Sequence, residues 1–148
     1  MTLGTALEWA IAYAYSRRYP GRYIHQPPEF ILDGVAGHID LLDVQDPRGT
    51  IIDDVKCKWS STADANDIAG SAYWEPWTRV KGYCRYVGST IGRLHVVNVN
   101  GEGFGKRADG TVKVFGPTYR VWEWVWTEKE IDQNWQMILN HKHLAVSE

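Results

Sequence analysis

The chain has 148 residues, 44% of them hydrophobic, which is enough for one packed domain and does not require a second. A formal charge of -2 argues against a general nucleic-acid coat protein, which is basic overall, although a local basic patch beside an acidic site is compatible with that total. The apolar stretches, such as residues 10–15, are too short to span a bilayer, and the start lacks the basic-then-apolar pattern of a signal peptide. Cys57 and Cys84 are too few for a disulfide framework, a four-cysteine zinc site or an iron–sulfur cluster, so the expectation is a reduced cytoplasmic protein without such a cluster.

Residues 3–15 are almost continuously apolar and rich in Ala, with Glu8 the only acid, and Tyr19-Pro20-Gly21 ends the run. This predicts a largely buried first helix. After a break at Gln26-Pro27-Pro28, residues 30–35 and 37–44 predict two strands with a very tight connection. Asp46-Pro47-Arg48-Gly49 is a turn before a third strand over 50–58, so a three-strand meander is expected. Residues 60–72, small and polar, predict a mobile loop or weak helical turn, suited to a lid. Pro76 is tolerated in a first helical turn, and Val80, Tyr83, Cys84 and Val87 then keep a helical period up to Gly88.

Residues 93–100 predict a buried strand, 101–110 a glycine-rich connection, and 111–115 with 118–126 a terminal hairpin. Thr127-Glu128-Lys129-Glu130 is a capping box, followed by an apolar face of Ile131, Trp135, Ile138 and Leu139. The order predicts one α/β (α+β) domain over 1–148, a central mixed β-sheet flanked by helices.

Within the third strand, alternation places Asp54, Lys56 and Lys58 on one face and Asp53, Val55 and Cys57 on the other. The same alternation aligns His38 with Asp40 on the strand before, and the short turn between makes the two strands neighbours, so Asp40 is expected close to Asp54. Two carboxylates with the Val55 carbonyl form an oxygen-rich set that suits Mg²⁺ or Mn²⁺ rather than zinc. A lysine beside them can stabilise the charge of a phosphoryl transition state. Phosphodiester hydrolysis is the chemistry that this set supports.

The residues Gly37-His38-Ile39-Asp40 and Ile52-Asp53-Asp54-Val55-Lys56 resemble the signature of the PD-(D/E)xK nuclease superfamily. The order of elements resembles its RecB-like and lambda-exonuclease-like groups. The resemblance implies a restriction-endonuclease-like core, with Asp40, Asp54, Lys56 and Glu8 as catalytic residues and Asp40, Asp54, Val55 and Glu8 around the metal. It implies a DNA exo- or endonuclease of recombination, repair or phage DNA processing, in the host cytoplasm for a phage-encoded chain. Glu8 matches the glutamate of the family's upstream helix and Tyr83 the tyrosine of its downstream helix. Where the family carries a glutamine one turn before that tyrosine, this chain carries Arg79, which shifts that helix toward charge pairing. The resemblance covers residues 1–100 and leaves the tryptophan-rich end without a motif.

Lys58, Arg79, Tyr83 and His38 are the candidate DNA contacts, each with a structural alternative in a solvated or packed side chain. An Asp/Glu-x-Lys tripeptide arises by chance about once in a chain of this make-up, so its weight comes from placement. Trp122, Trp124 and Trp126 alternate on a strand and predict one face of a packed hairpin or a dimer interface, whereas Trp59, Trp74 and Trp77 are the better base-stacking candidates. Two rivals stand beside the nuclease reading: a Holliday-junction resolvase, which requires a homodimer, and a catalytically silent nucleic-acid-binding or assembly protein of the same fold.

Overall fold

The Thr2 hydroxyl accepts the Thr5 amide and opens helix α1 (Leu3–Arg18), whose last turn carries Arg17 and Arg18 where the helix dipole favours cations. The chain then forms strands β1 (Tyr23–His25), β2 (Phe30–Leu32), β3 (Val35–Gly37), β4 (Leu41–Asp43) and β5 (Ile51–Lys58). Helix α2 (Trp74–Val87), strands β6 (Ile91–Asn98) and β7 (Thr118–Val125), helix α3 (Glu128–His141) and a short 3-10 turn (Lys142–Ala145) complete the order. This computed structural model describes residues 1–59 and 73–145. The segment expected to act as a lid, residues 60–72, lies outside the described residues.

Five strands form one sheet in the order β1-β4-β5-β6-β7, with β5 and β6 parallel and the other pairs antiparallel. The fold class is therefore mixed α+β, a central mixed sheet flanked by helices. α2 connects the parallel pair and ends on Gly88 in the left-handed conformation (φ 75°). With α3 it covers one sheet face, where Ile52, Leu94 and Val96 meet Trp77, Val80, Cys84, Trp126 and Ile131. A side chain at Gly92 would put its Cβ 2.3 Å from Val80 Cγ1, so glycine is what lets α2 sit this close to β6. The capping box of α3 forms as expected, Thr127 and Glu130 each satisfying the other's backbone amide.

The other face, against which α1 packs, carries a polar layer. Buried His95 lies between Asp53 (2.6 Å) and the Tyr119 hydroxyl (2.5 Å), and Tyr119 contacts the Tyr15 hydroxyl of α1. Arg93 bonds Asp43 and Glu123 across the strands, and Arg22 grips Asp43 with two nitrogens. Every carboxylate in this layer faces a cation or an imidazole, as burial demands.

Four expectations need correction. The first helix is not largely buried: only Ala12 is, while Trp9 and Tyr13 are exposed, because a helix covering one face of a narrow sheet buries a single stripe. The meander is instead two sheets: β2 and β3 form a separate ribbon turning at Asp33 (φ 51°) and Gly34 (φ 77°), while β4 joins β5 in the main sheet. Residues 38–40 between them are not strand, so His38 and Asp40 do not share a strand face. The terminal hairpin does not form: β7 pairs along its whole length with β6, and residues 111–115 meet the glycine-rich segment through isolated bridges at Gly101–Phe115 and Lys106–Val112. Trp126 is in the core with Trp77, which removes Trp77 from the stacking candidates and leaves Trp59 and Trp74 exposed. Among the described residues, no helix is long and apolar enough to cross a membrane.

Candidate active site

Ile51 and Ile52 are fully buried and anchor β5 in the centre of the sheet, which sets the positions of Asp53, Asp54 and Val55 along it. The β4–β5 ladder pairs Leu41 with Asp53, so Asp40, one residue before β4, arrives beside Asp54 and Val55. Its Oδ2 accepts the Val55 amide at 2.8 Å. Asp54 is buried, and Lys56, two residues on and on the same strand face, places Nζ 2.9 Å from its Oδ2. From α2, Arg79 brings Nη2 to 3.1 and 3.3 Å from the two Asp54 oxygens. Tyr83, one turn further, lines the same cleft as His38. A Cβ on Gly37 would overlap the Phe30 ring and come within 3.0 Å of Tyr83, so that glycine keeps room for both rings at the edge of the site.

Glu8 reaches the same place from α1. Its Oε1 accepts from Gln26 Nε2 at 3.0 Å and lies 3.1 Å from His25 Nε2. Gln26 is one of two non-glycine residues with positive φ (47°) among the described residues, and its amide donates to the Asp40 carbonyl at 2.9 Å. It thereby ties Glu8 to Asp40 through one strained residue, and such strain is often found at functional sites. Neither His25 nor Gln26 stood out in the sequence. The break at Gln26-Pro27-Pro28 was the available signal, since a chain bent before two prolines can aim a side chain backwards.

Glu8, His38, Asp40, Val55, Lys56, Arg79 and Tyr83 line a single cleft of about 420 Å³, with Asp54 held beneath it by its two cations. Lys58 does not line it: its ammonium lies over the Tyr73 ring, 4.0 Å from the centroid. His38 reaches the cleft from a bend, exposed and 3.4 Å from Glu29.

Burial pushes the Asp40 carboxyl up to about 7, the charge of Asp54 adds to the rise, and the Val55 amide partly offsets it. Burial likewise raises Asp54 to about 6, against the opposing pull of Arg79. The two are coupled but not alike: the charge of Asp54 makes Asp40 harder to ionise, whereas a hydrogen bond from Asp40 favours the ionised Asp54. Burial also pushes the Tyr83 hydroxyl up to about 12, so it stays protonated at neutral pH. The ligand atoms on offer, from Asp40, Asp54, Glu8 and the Val55 carbonyl, are all hard oxygens, the donor class of Mg²⁺ and Mn²⁺. They fit such an ion by chemistry. Their present arrangement is paired off instead: among the described residues no three His, Cys, Asp or Glu side chains are gathered to hold a metal, and Asp54 is engaged by Lys56 and Arg79.

No protein-family model and no curated protein sequence matches the chain. Among solved structures it is similar to a phage-related exonuclease from Haemophilus somnus 129PT, with a TM-score of 0.55, 13% identity, and coverage of 90% of this chain and 64% of that one. It is also similar to SSO0001, with a TM-score of 0.54, 12% identity, and coverage of 90% of this chain and 56% of that one. The chain thus spans less than two thirds of the length of either. At these identities the likeness is one of fold, and the mixed sheet flanked by helices is a fold that this chain shares with a protein named as an exonuclease.

Proposed function

We propose that the chain is a divalent-metal-dependent deoxyribonuclease of the PD-(D/E)xK type. The observation that carries this reading is the pairing of Asp40 with Asp54, beside Lys56 and under one cleft, in a fold similar to that of a phage-related exonuclease. Asp40, Asp54, Glu8 and the Val55 carbonyl are the groups that would hold Mg²⁺ or Mn²⁺. Such an ion supplies Lewis-acid stabilisation of charge on a phosphodiester oxygen.

The chain's own residues do the rest. Lys56, fixed by Asp54, presents a positive charge where the phosphoryl oxygens gain negative charge, and it needs no reorganisation to do so. The Val55 amide fixes the orientation of Asp40, and Gln26 with His25 fixes that of Glu8. Arg79, Tyr83 and exposed His38 line the cleft where the sugar–phosphate chain would run.

The experiment is incubation of purified protein with linear duplex, nicked, single-stranded and four-way-junction DNA in Mg²⁺, Mn²⁺ or EDTA. Cleavage of any of them that EDTA abolishes supports the reading, and cutting of the junction alone by paired incisions assigns the resolvase form. Inertness toward all four with both metals refutes the nuclease and leaves the silent binding protein.

A further inference from the structure

The arginine–carboxylate pairs among the described residues are of two kinds, two-pronged grips and single-nitrogen contacts, and the Arg79–Asp54 pair is of the second kind, as are those of Arg93 with Asp43 and Arg85 with Asp132. Arg22 grips Asp43 through Nε and Nη2 at 2.9 and 2.7 Å, and Arg107 grips Glu102 through the same two nitrogens at 2.7 and 2.6 Å. These are two-pronged contacts, the geometry in which a planar guanidinium and a carboxylate match best. Arg79 instead touches Asp54 with Nη2 alone, at 3.1 and 3.3 Å, and its buried Nε has no hydrogen-bond partner among the described residues. The contact is long and single-pronged, and the Arg79 side chain keeps 39% of its surface exposed at the cleft. Asp54 also has a shorter ion pair with Lys56, at 2.9 Å, so it does not depend on Arg79 for its only counter-charge.

Resting on the metal-site reading above, we propose that Arg79 is an exchangeable counterion of Asp54, which a divalent cation must displace to complete its oxygen ligands. The local geometry favours exchange over coexistence, because a divalent ion that takes an Asp54 oxygen meets the like charge of a guanidinium held against that same carboxylate, while Lys56 remains as its counter-charge. Removal of Arg79 from Asp54 frees a carboxylate oxygen, and the freed guanidinium, on a side chain that lines the cleft, can turn its donors toward a ligand there. A phosphodiester, with one negative charge shared by two non-bridging oxygens on one phosphorus, is the group a guanidinium fork matches. The arginine thus restrains cation binding in the free protein and is released toward the DNA backbone when the cation enters.

The test is calorimetric titration of Mn²⁺ alone, without DNA, into the wild-type chain and into Arg79→Met, Arg79→Gln and Arg79→Lys, each checked by thermal melting. Loss of the charge should tighten Mn²⁺ binding about tenfold or more, the scale of a charge-assisted hydrogen bond removed from competition. Arg79→Lys, which keeps the charge, should stay within about threefold of the wild type. Equal or weaker binding by folded Arg79→Met and Arg79→Gln, with the wild type binding Mn²⁺ normally, overturns the exchange and leaves the metal site standing. Absence of Mn²⁺ binding in all four proteins overturns the metal site and the exchange together.

Discussion

Replacing Asp40 with Asn should make the protein more stable at pH 8 while removing a residue that its proposed activity needs. The Asp40 carboxyl rises from 3.8 to about 7 in the fold because it is buried beside the charge of Asp54. The folded state therefore holds that proton more tightly than the unfolded chain does. Stability linked to Asp40 is fully present below about pH 4 and is lost as pH rises through about 7. At ~1.4 kcal/mol per unit, the full rise corresponds to a ceiling of ~4 kcal/mol. Coupling to Asp54 and the open side of the cleft reduce the expected gain to ~1–2 kcal/mol, or about 3–6 °C in melting temperature for a chain of this size. Asn keeps an oxygen for the Val55 amide and can donate to Asp54, so no hydrogen bond need be lost. Thermal melts of both proteins at pH 4, 5, 6, 7 and 8 should coincide at the acid end and separate steadily above pH 5. A variant that melts at or below the wild type at pH 8 would refute the account of Asp40 as a carboxyl held protonated by burial and by the charge of Asp54.

Lys56→Ala should reduce single-turnover DNA cleavage by about a hundredfold or more in protein shown by thermal melting to be folded; excess Mn²⁺ should not restore it, since the missing group is not a ligand. Near-normal cleavage by the folded variant would reduce Lys56 to a salt-bridge partner of Asp54. On the opposite sheet face, Arg93→Met should cost ~3 kcal/mol in urea unfolding at pH 7, because it strips a cation from buried Asp43 and leaves Asp53 facing His95 alone. A loss under ~1 kcal/mol would show that the remaining arginines, Arg22 and Arg48, suffice for that layer.

The approach of Asp40 to Asp54 is legible from the sequence because a short turn leaves little freedom of register, and register plus side-chain alternation decides which groups meet. The same alternation hid the break at residues 38–40: residues 37–44 read as one strand, yet Gly37 has no side chain, Phe30 closes over it, and the chain changes sheets there. β1 is three residues long and comes after a turn, too short for any period to emerge. The failed hairpin has a further cause. Residues 111–115 and 118–126 both favour strand, but propensity does not say with which neighbour a strand pairs, and the buried, eight-residue β6 offered β7 a longer ladder. The apolarity of α1 misled because its Trp and Tyr rings are amphipathic and tolerate water, as Tyr13 does while bonding Arg17. At the site, the acid–acid–lysine set was readable from residue type and spacing. The support that His25 and Gln26 give to Glu8 needed a backbone turn that no local pattern announces.

The central claim, that Asp54 belongs to a metal-dependent hydrolytic centre, is tested most directly by single-turnover cleavage of labelled linear DNA in Mn²⁺ by the wild-type chain and by folded Asp54→Asn. Asn keeps the shape of the side chain and removes the charge that would hold the ion. The account predicts cleavage by the wild type that EDTA abolishes, and a loss of at least about a hundredfold in the variant. Cleavage that survives EDTA, or an Asp54→Asn protein that cuts as fast as the wild type, would contradict it.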